Sequence, residues 1–301
     1  MTRADREAGR GIADLVVSLR PRQWTKNFLV FAALIFSHNL HRPAQVGRGV
    51  LAFLIFCALS GGVYLVNDVF DAERDRSHPQ KRHRPVASGR LSPGLALAVG
   101  VGLLAAASAA AFGLSTRLGL VAVAYVGLLV AYSVGLKHIV ILDALIIAAG
   151  FVLRALAGAV VIDEEFSRWL LLCTILLALF LTLGKRRHEL LALEGQASDH
   201  RPILSEYSPQ LLDQMIAVVT ASTLMAYSLY TVAPETAAKL GTSHLPLTIP
   251  FVLYGIFRYL YLLYRHDLGG DPSEHLLMDR GLLIDVALWA ATVIVLLYAV
   301  R

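Results

Sequence analysis

Long apolar runs without charged residues, separated by short polar strings, make up most of the chain. A helix of about 20 mostly apolar residues can cross a bilayer, and nine runs reach or approach that length. The pattern predicts an all-α, polytopic membrane protein with nine transmembrane helices. Because no repeat divides the sequence, residues 1–301 are predicted to form a single integral membrane domain that begins with a polar segment, 1–20. The predicted spans are 27–40, 47–67, 93–113, 117–134, 139–161, 167–184, 211–233, 246–264 and 281–300.

The composition excludes a soluble helical protein. Hydrophobic residues make up 56% of the chain and charged residues 16%, whereas about 25% of the residues in soluble domains are charged. The first 26 residues are polar and basic, so no cleavable signal peptide is expected. Cys57 and Cys173 lie within apolar runs and are predicted to pack as small apolar side chains.

The distribution of lysine and arginine predicts the orientation in the membrane. If every run crosses, 19 basic residues lie on the side of the N-terminus and six on the other side. Basic residues accumulate in cytoplasmic loops, so the N-terminus is predicted to be cytoplasmic. This topology and the binding of phosphates account for the basic residues, so no nucleic-acid partner is predicted.

A stripe of carboxylates follows the second apolar run, in the string NDVFDAERDRSHPQKRHRP at 67–85. Asp68, Asp71 and Asp75 are spaced i, i+3 and i+7, which places them on one face if the helix continues. Three carboxylates at a membrane boundary repel one another unless a cation lies between them.

Either a metal ion or neighbouring arginines could neutralise the three carboxylates. Mg²⁺ is usually held by one or two carboxylates together with substrate phosphates, and Asn67 could add an amide oxygen. The alternative is a solvated helix end at which the aspartates pair with Arg74 and Arg76. The apolar context and the basic string that follows favour a site for a metal and a phosphate.

The string NDVFDAERD resembles the NDxxDxxxD motif of the UbiA-type intramembrane prenyltransferase superfamily. This resemblance implies nine transmembrane helices around a central cavity, and Mg²⁺ bound by Asp68, Asp71 and Asp75. Most members carry a second aspartate-rich motif after the sixth helix. Here the corresponding string is LTLGKRRHELLALEG, which places Lys185, Arg186 and Glu189 where those aspartates would be.

Five strings in order are similar to those of the decaprenyl-phosphate phosphoribosyltransferase family, a branch of that superfamily. The similarity implies 5-phosphoribosyl 1-pyrophosphate (PRPP) as donor and a polyprenyl phosphate such as decaprenyl phosphate as acceptor. It also implies a product that feeds arabinan synthesis for the cell wall, and a location in the plasma membrane of a bacterium. The strings are RPRQWTKN (20–27), DRSHPQKRHRPVASG (75–89), YSVGLKH (132–138), GKRRHEL (184–190) and GGDPSEHLLMDRGLL (269–283).

Several polar residues join the three aspartates as candidates for a site facing the cytoplasm. Glu189 could bind ribose hydroxyls or a second cation, and Tyr132 lies next to the expected site. Arg154 lies within an apolar run, where a charge usually faces the interior of the bundle, so it is predicted to line the cavity. The candidates for binding phosphates are Lys26, Lys81, Arg82, Arg84, Lys137, Lys185 and Arg186.

Two other functions remain open at this point. The same fold could transfer a polyprenyl group from its diphosphate to an aromatic acceptor, which a second aspartate motif would favour. A transporter with a cation-coupled carboxylate site is the other alternative, although transporters tend to place such residues near the midplane of broken helices. The oligomeric state is left open.

Overall fold

The computed structural model describes residues 3–37, 39–77, 79, 81–165, 168–192, 202–265 and 279–299, and this part of the chain is helical without strands. Twelve α-helices occur in it: α1 (Arg3–Ser18), α2 (Ala32–Phe36), α3 (Pro43–Phe70), α4 (Ala72–Ser77), α5 (Pro93–Leu114), α6 (Thr116–Val134), α7 (Leu142–Val161), α8 (Arg168–Ala192), α9 (Pro209–Val232), α10 (Pro234–Leu240), α11 (Ile249–Arg265) and α12 (Arg280–Tyr298). Five 3₁₀ helices connect them: Pro21–Phe31, Lys81–His83, Leu136–His138, Pro202–Glu206 and Leu245–Thr248.

Seven described helices are long and apolar enough to cross a membrane. Helix α8 coincides with the predicted sixth span and continues as a helix through the basic string to Ala192, but it is not among the seven. The polytopic helical class is confirmed, whereas the count of nine spans is not. The seven are Pro43–Phe70, Pro93–Leu114, Thr116–Val134, Leu142–Val161, Pro209–Val232, Leu245–Arg265 and Arg280–Tyr298.

The first predicted span, 27–40, differs most from expectation, because most of that region is not α-helix. The 3₁₀ helix Pro21–Phe31 is 11 residues long, although 3₁₀ runs longer than 3–4 residues are uncommon. Its buried residues, Asn27 and Val30, are three apart and therefore lie on the same face. At about 2.0 Å per residue it extends about 22 Å, so together with α2 it is about as long as the hydrocarbon core is thick.

Glycines allow two very close approaches between helices. A Cβ on Gly62 of α3 would lie 3.0 Å from the carbonyl oxygen of Gly100 on α5. A Cβ on Gly158 of α7 would lie 1.9 Å from the carbonyl oxygen of Val30. The 3₁₀ helix Pro21–Phe31 therefore packs directly against the backbone of α7. Small residues permit such packing in membranes, where the hydrophobic effect does not drive helices together.

Two clusters of buried side chains form the centre of the bundle. One surrounds Phe56 and Tyr125 and joins α3, α6 and α7, while the other surrounds Phe180 and Ile216 and joins α8, α9 and α11. Outside them, large apolar side chains are exposed, such as Val218, which is 66% exposed. An exposed apolar surface of this kind fits contact with lipid.

The polar strings between the long helices meet at one end of the bundle. Lys137 pairs with Asp71 and so joins two strings, while Arg186 pairs with Asp143 at the start of α7 and Arg187 with Asp213 near the start of α9. We call this the carboxylate end, since it holds Asp68 near the end of α3. The strings at 67–85, 132–138 and 184–190, which were predicted to share one side of the membrane, are therefore adjacent.

Candidate active site at the carboxylate end

The carboxylate stripe lies across a junction between two helices. Helix α3 ends at Phe70, Asp71 is its C-cap, and α4 begins at Ala72. The helical hydrogen-bond spacing persists across the junction, because the Asp71 amide donates to the Asn67 carbonyl at 2.9 Å and the Asp75 amide to the Asp71 carbonyl at 2.8 Å. Asp68 and Asp75 consequently face the same way, as their spacing predicted.

Asp68 and Asp75 share one cation, Arg84. The Nη1 atom of Arg84 lies 2.6 Å from Oδ2 of Asp75 and 3.3 Å from Oδ1 of Asp68. Both carboxylates are buried, at 2% exposure for Asp68 and 3% for Asp75. A buried carboxylate is costly unless a positive group compensates it, and Arg84 supplies this charge. Arg74 and Arg76, the partners in the alternative interpretation, are exposed.

Arg20 is a second cation on Asp68, and sequence reasoning did not identify it as a site residue. Its Nη2 atom donates to Oδ1 of Asp68, and its guanidinium lies over the Tyr64 ring, 4.6 Å from the centroid. Arg20 has a left-handed backbone, with φ 52°, which costs energy in a residue other than glycine. The sequence feature that could have identified Arg20 is its position in the string RPRQWTKN, which is similar to a string of the family.

Asp71 has a different partner, Lys137. The two side chains approach to 3.7 Å, and Lys137 lies on the short 3₁₀ helix Leu136–His138 between α6 and α7. Each of the three aspartates thus has a cationic partner, and Lys137 connects the stripe to the elements that carry a second cluster.

The second cluster surrounds Arg186, which is 2% exposed. Its Nε donates to Oδ2 of Asp143 at 2.9 Å and its Nη1 to Oε2 of Glu189 at 2.7 Å. Its Nη2 lies 3.4 Å from the hydroxyl of Tyr132, while Lys185 Nζ lies 4.0 Å from Oε1 of Glu189. Tyr132, from the string at 132–138, is thereby brought together with Lys185, Arg186 and Glu189, which all belong to the string at 184–190.

Asp143 and Tyr207 complete this cluster, and the sequence did not identify either as a site residue. Asp143 is fully buried and accepts from the Tyr207 hydroxyl at 2.9 Å. That hydroxyl accepts from the Ile141 amide at 2.7 Å. Burial raises the pKa of Tyr207 to about 12, so the phenol stays protonated and can donate to the carboxylate. These contacts fix the carboxylate that orients Arg186.

The remaining candidates near the stripe are less enclosed. Lys26 and Lys81 are half-buried on their 3₁₀ helices. Arg82 is exposed, and its Nε lies 3.4 Å from Nε2 of His83. Asn67 is half-buried and supplies its carbonyl to the junction.

Arg154 lies away from both clusters, inside the bundle. Its guanidinium donates to Asn27 Oδ1 at 2.7 Å, to the Gly150 carbonyl at 2.9 Å and to the Tyr125 hydroxyl at 2.6 Å. Asp143, eleven residues earlier on the same helix α7, pairs with Arg186 instead. Arg154 therefore faces the interior of the bundle. Its hydrogen bonds join α7 to α6 and to the 3₁₀ helix Pro21–Phe31.

The string GGDPSEHLLMDRGLL lies largely outside the described residues, which resume at Asp279. The Asp279 side chain accepts from the Leu282 amide at 2.8 Å and caps α12. It also pairs with Arg258 Nη2 at 2.9 Å, and the hydrogen bond from Arg258 lowers the pKa of Asp279.

Asp68, Asp71 and Asp75 are the candidate ligands for a divalent cation. Among the residues that the structure describes, no group of three or more histidine, cysteine, aspartate or glutamate side chains is arranged to hold a metal ion. Two buried carboxylates do share a cationic group between them, that of Arg84. Mg²⁺ needs only one or two protein carboxylates when phosphates supply the other ligands, so this donor set fits a metal that binds with its substrate.

Sequence comparison finds the UbiA prenyltransferase family, whose model matches residues 27–278. A decaprenyl-phosphate phosphoribosyltransferase from Mycolicibacterium smegmatis is 34% identical, over 94% of this chain and 92% of the relative. The enzyme of the same name from Corynebacterium glutamicum is 32% identical, over 97% of this chain and 90% of the relative.

Comparison of structures finds the same fold. A UbiA homolog from Archaeoglobus fulgidus bound to GPP and Mg²⁺ superposes with a TM-score of 0.71. The alignment covers 95% of this chain and 98% of the homolog at 18% sequence identity. At 18% sequence identity, this similarity shows only that the two proteins share a fold.

Proposed function

Because the chain belongs to the UbiA prenyltransferase family, we propose that it transfers the 5-phosphoribosyl group of PRPP to decaprenyl phosphate and releases pyrophosphate. Its relatives with 32–34% identity bear the name of this activity. The product would be a polyprenylphosphoryl 5-phosphoribose, a precursor for cell-wall arabinan.

The observation that carries this proposal is the buried Arg186 in the place of a second aspartate motif. Its charge is balanced by Asp143 and Glu189, and Lys185 lies beside it. A donor with phosphates at two ends needs cations in two places. Arg20 and Arg84 at the stripe would serve one end of PRPP, and the cluster around Arg186 would serve the other phosphate or that of the lipid.

The stripe is the proposed binding site for pyrophosphate. Asp68, Asp71 and Asp75 would hold Mg²⁺, which when bound neutralises charge on the leaving pyrophosphate. Arg20 and Arg84 would turn from the carboxylates toward phosphate oxygens, for which the guanidinium fork has suitable geometry.

The chemistry requires positioning more than proton transfer. The bond from ribose C1 to the pyrophosphate oxygen breaks and its electron pair leaves with pyrophosphate, while a phosphate oxygen of the lipid forms the new bond to C1. That oxygen is already anionic at neutral pH, so no strong general base is needed. Lys81, Lys137, Lys185 and Arg186 would hold the anionic groups in line and stabilise the charge that develops.

The remaining candidates complete the proposed site. Glu189 and Tyr132 would contact the ribose hydroxyls, Asn67 would add an amide oxygen to the metal site, and Lys26 and Arg82 would bind phosphate. The carboxylate end would face the cytoplasm of the bacterium, where PRPP is available, and the lipid would enter from the plasma membrane into one integral domain.

A labelled-donor assay tests the proposal. Purified protein in proteoliposomes is incubated with ribose-labelled PRPP, Mg²⁺ and decaprenyl phosphate, and label in the lipid phase is measured. Label is expected to enter the lipid only when both substrates are present. A second arm supplies a polyprenyl diphosphate and an aromatic acceptor; prenyl transfer there, with no labelled lipid in the first arm, would favour the ordinary prenyltransferase activity.

A further inference from the structure

Arg154 is a charged residue inside the membrane part of the bundle, and no carboxylate among the residues that the structure describes pairs with it. It is 6% exposed, and within the described part of the chain its three hydrogen-bond partners are all uncharged. These are the Asn27 amide oxygen, the Gly150 carbonyl and the Tyr125 hydroxyl, at 2.6–2.9 Å. A buried ion held only by neutral groups is expensive, which indicates that its contacts serve a purpose beyond filling space.

The partner of interest is Asn27, on the 3₁₀ helix Pro21–Phe31. Its Oδ1 accepts from Arg154 Nε on α7, and its Nδ2 lies 3.3 Å from Cys57 Sγ and 3.4 Å from Ser60 Oγ on α3. The Asn27 side chain therefore connects the 3₁₀ helix to two transmembrane helices at once. One turn further on, the Val30 carbonyl lies against Gly158.

The other end of this 3₁₀ helix is at the candidate active site. Arg20 precedes Pro21 with a left-handed backbone, and its guanidinium contacts Asp68 and the ring of Tyr64. Whatever holds the helix at Asn27 therefore also sets where Arg20 can reach.

The 3₁₀ form needs such support over its length. It turns by about 120° per residue, whereas an α-helix turns by about 100°. If the segment relaxed to the α form, the seven residues from Arg20 to Asn27 would turn about 140° less, and Arg20 would leave the face that meets Asp68. Contacts at Asn27 and Val30 oppose this change.

We propose that Arg154 is a positioning residue of the site: through Asn27 it holds the 3₁₀ helix Pro21–Phe31 in its form and register, and thereby keeps Arg20 against Asp68. The effect on catalysis rests on the proposed function, in which Arg20 binds a phosphate of PRPP. The mechanical part concerns the protein alone. A residue that merely packs the core would stabilise the whole bundle and would show no special connection to Arg20.

Hydrogen–deuterium exchange tests the mechanical part without any activity. Full-length protein in nanodiscs is compared as wild type, Arg154→Gln, Asn27→Ala and Arg258→Gln. Arg258→Gln is the control, because it removes an arginine that pairs with Asp279 between α11 and α12 and not with the 3₁₀ helix. Exchange of amides 22–31 is expected to rise at least about tenfold in Arg154→Gln and Asn27→Ala, while exchange in α5 and α9 stays unchanged. In Arg258→Gln the exchange of amides 22–31 is expected to stay at the wild-type level.

Unchanged exchange at 22–31, or a uniform rise through the bundle, would overturn the proposal. Asn27→Ala keeps the test available if Arg154→Gln does not fold.

A double-mutant cycle tests the connection to Arg20. Arg154→Gln is expected to raise KM for PRPP about tenfold while leaving KM for decaprenyl phosphate near its wild-type value. In an Arg20→Gln background the same change should have little further effect, because coupled residues are not additive. Additive effects would contradict action through Arg20.

The two proposals can fail separately. If wild-type protein forms no labelled lipid, the proposed function fails, and the exchange experiment still decides whether Arg154 holds the 3₁₀ helix.

Discussion

The Nη1 atom of Arg84 lies 2.6 Å from Oδ2 of Asp75 and belongs to the same guanidinium that reaches Asp68. A residue sixteen positions after Asp68 thus supplies positive charge to two buried carboxylates in a helical protein of the membrane. The same charge could bind phosphate once a metal ion occupied the carboxylates, so Arg84 is expected to matter for both the donor and the fold.

Replacing Arg84 by Gln is expected to raise KM for PRPP about tenfold or more, since hydrogen bonds to charged groups contribute about 1.5–3 kcal/mol. Steady-state kinetics with labelled PRPP measure the effect. Arg74→Gln is the matched control, because Arg74 is an exposed arginine of neighbouring α4. Equal KM values for the two variants would contradict a donor-binding role.

Asp68→Asn is expected to lower transfer about a hundredfold, since two to three kcal/mol of charge-assisted binding disappear. Chelation by EDTA should abolish wild-type transfer, and excess Mg²⁺ should restore it. The variant should need a higher Mg²⁺ concentration for half-maximal rate. Glu73→Gln, an exposed carboxylate in the same string, should behave as wild type. Normal Mg²⁺-dependent transfer by Asp68→Asn would remove it from the site.

Asp143→Asn is expected to destabilise the protein by about 3 kcal/mol, because it leaves the buried Arg186 without its fully buried partner. Thermal unfolding in detergent measures this loss. Combining Asp143→Asn with Arg186→Met should cost less than the sum of the two changes, since the double variant buries no unpaired charge at this point. Strictly additive losses would show that the pair is not coupled.

The protein is expected to lose stability in alkaline solution because of Tyr207. Its pKa is raised to about 12 in the folded protein from an ordinary value near 10. Between pH 10 and 12 the unfolded state therefore binds fewer protons than the folded state, and the free energy of unfolding falls as pH rises. Tyr207→Phe should flatten this part of the pH profile relative to wild type. Identical slopes for both proteins would contradict the assignment.

Gly158→Ala is expected to destabilise the protein by about 2 kcal/mol or more, because the new Cβ would lie 1.9 Å from the Val30 carbonyl oxygen and rigid backbone must move. Gly102→Ala on α5 is the control, since its Cβ meets nothing within 4 Å. Thermal unfolding of both variants separates the close approach from the general effect of adding a methyl group.

Much of the fold and part of the site follow from the order of residues alone. The length of an apolar run decides whether a helix can cross a membrane, so the polytopic class and the positions of α3, α5, α6 and α7 were predictable. Consecutive crossings alternate in direction, which brings the polar strings at 67–85, 132–138 and 184–190 to the same end. The i, i+3, i+7 spacing predicted that Asp68 and Asp75 face the same way, since helix geometry is local.

Pairing across the bundle was decided only by the tertiary structure. Arg20 meets Asp68 over 48 positions, Arg186 meets Asp143 over 43, and Tyr207 meets Asp143 over 64. Such contacts depend on how helices rotate and pack, which composition and spacing do not fix. The 3₁₀ form of Pro21–Phe31 has the same origin: the sequence predicts an apolar span there, and contacts of Asn27 and Val30 with neighbouring helices accompany a backbone that local preference would rarely choose.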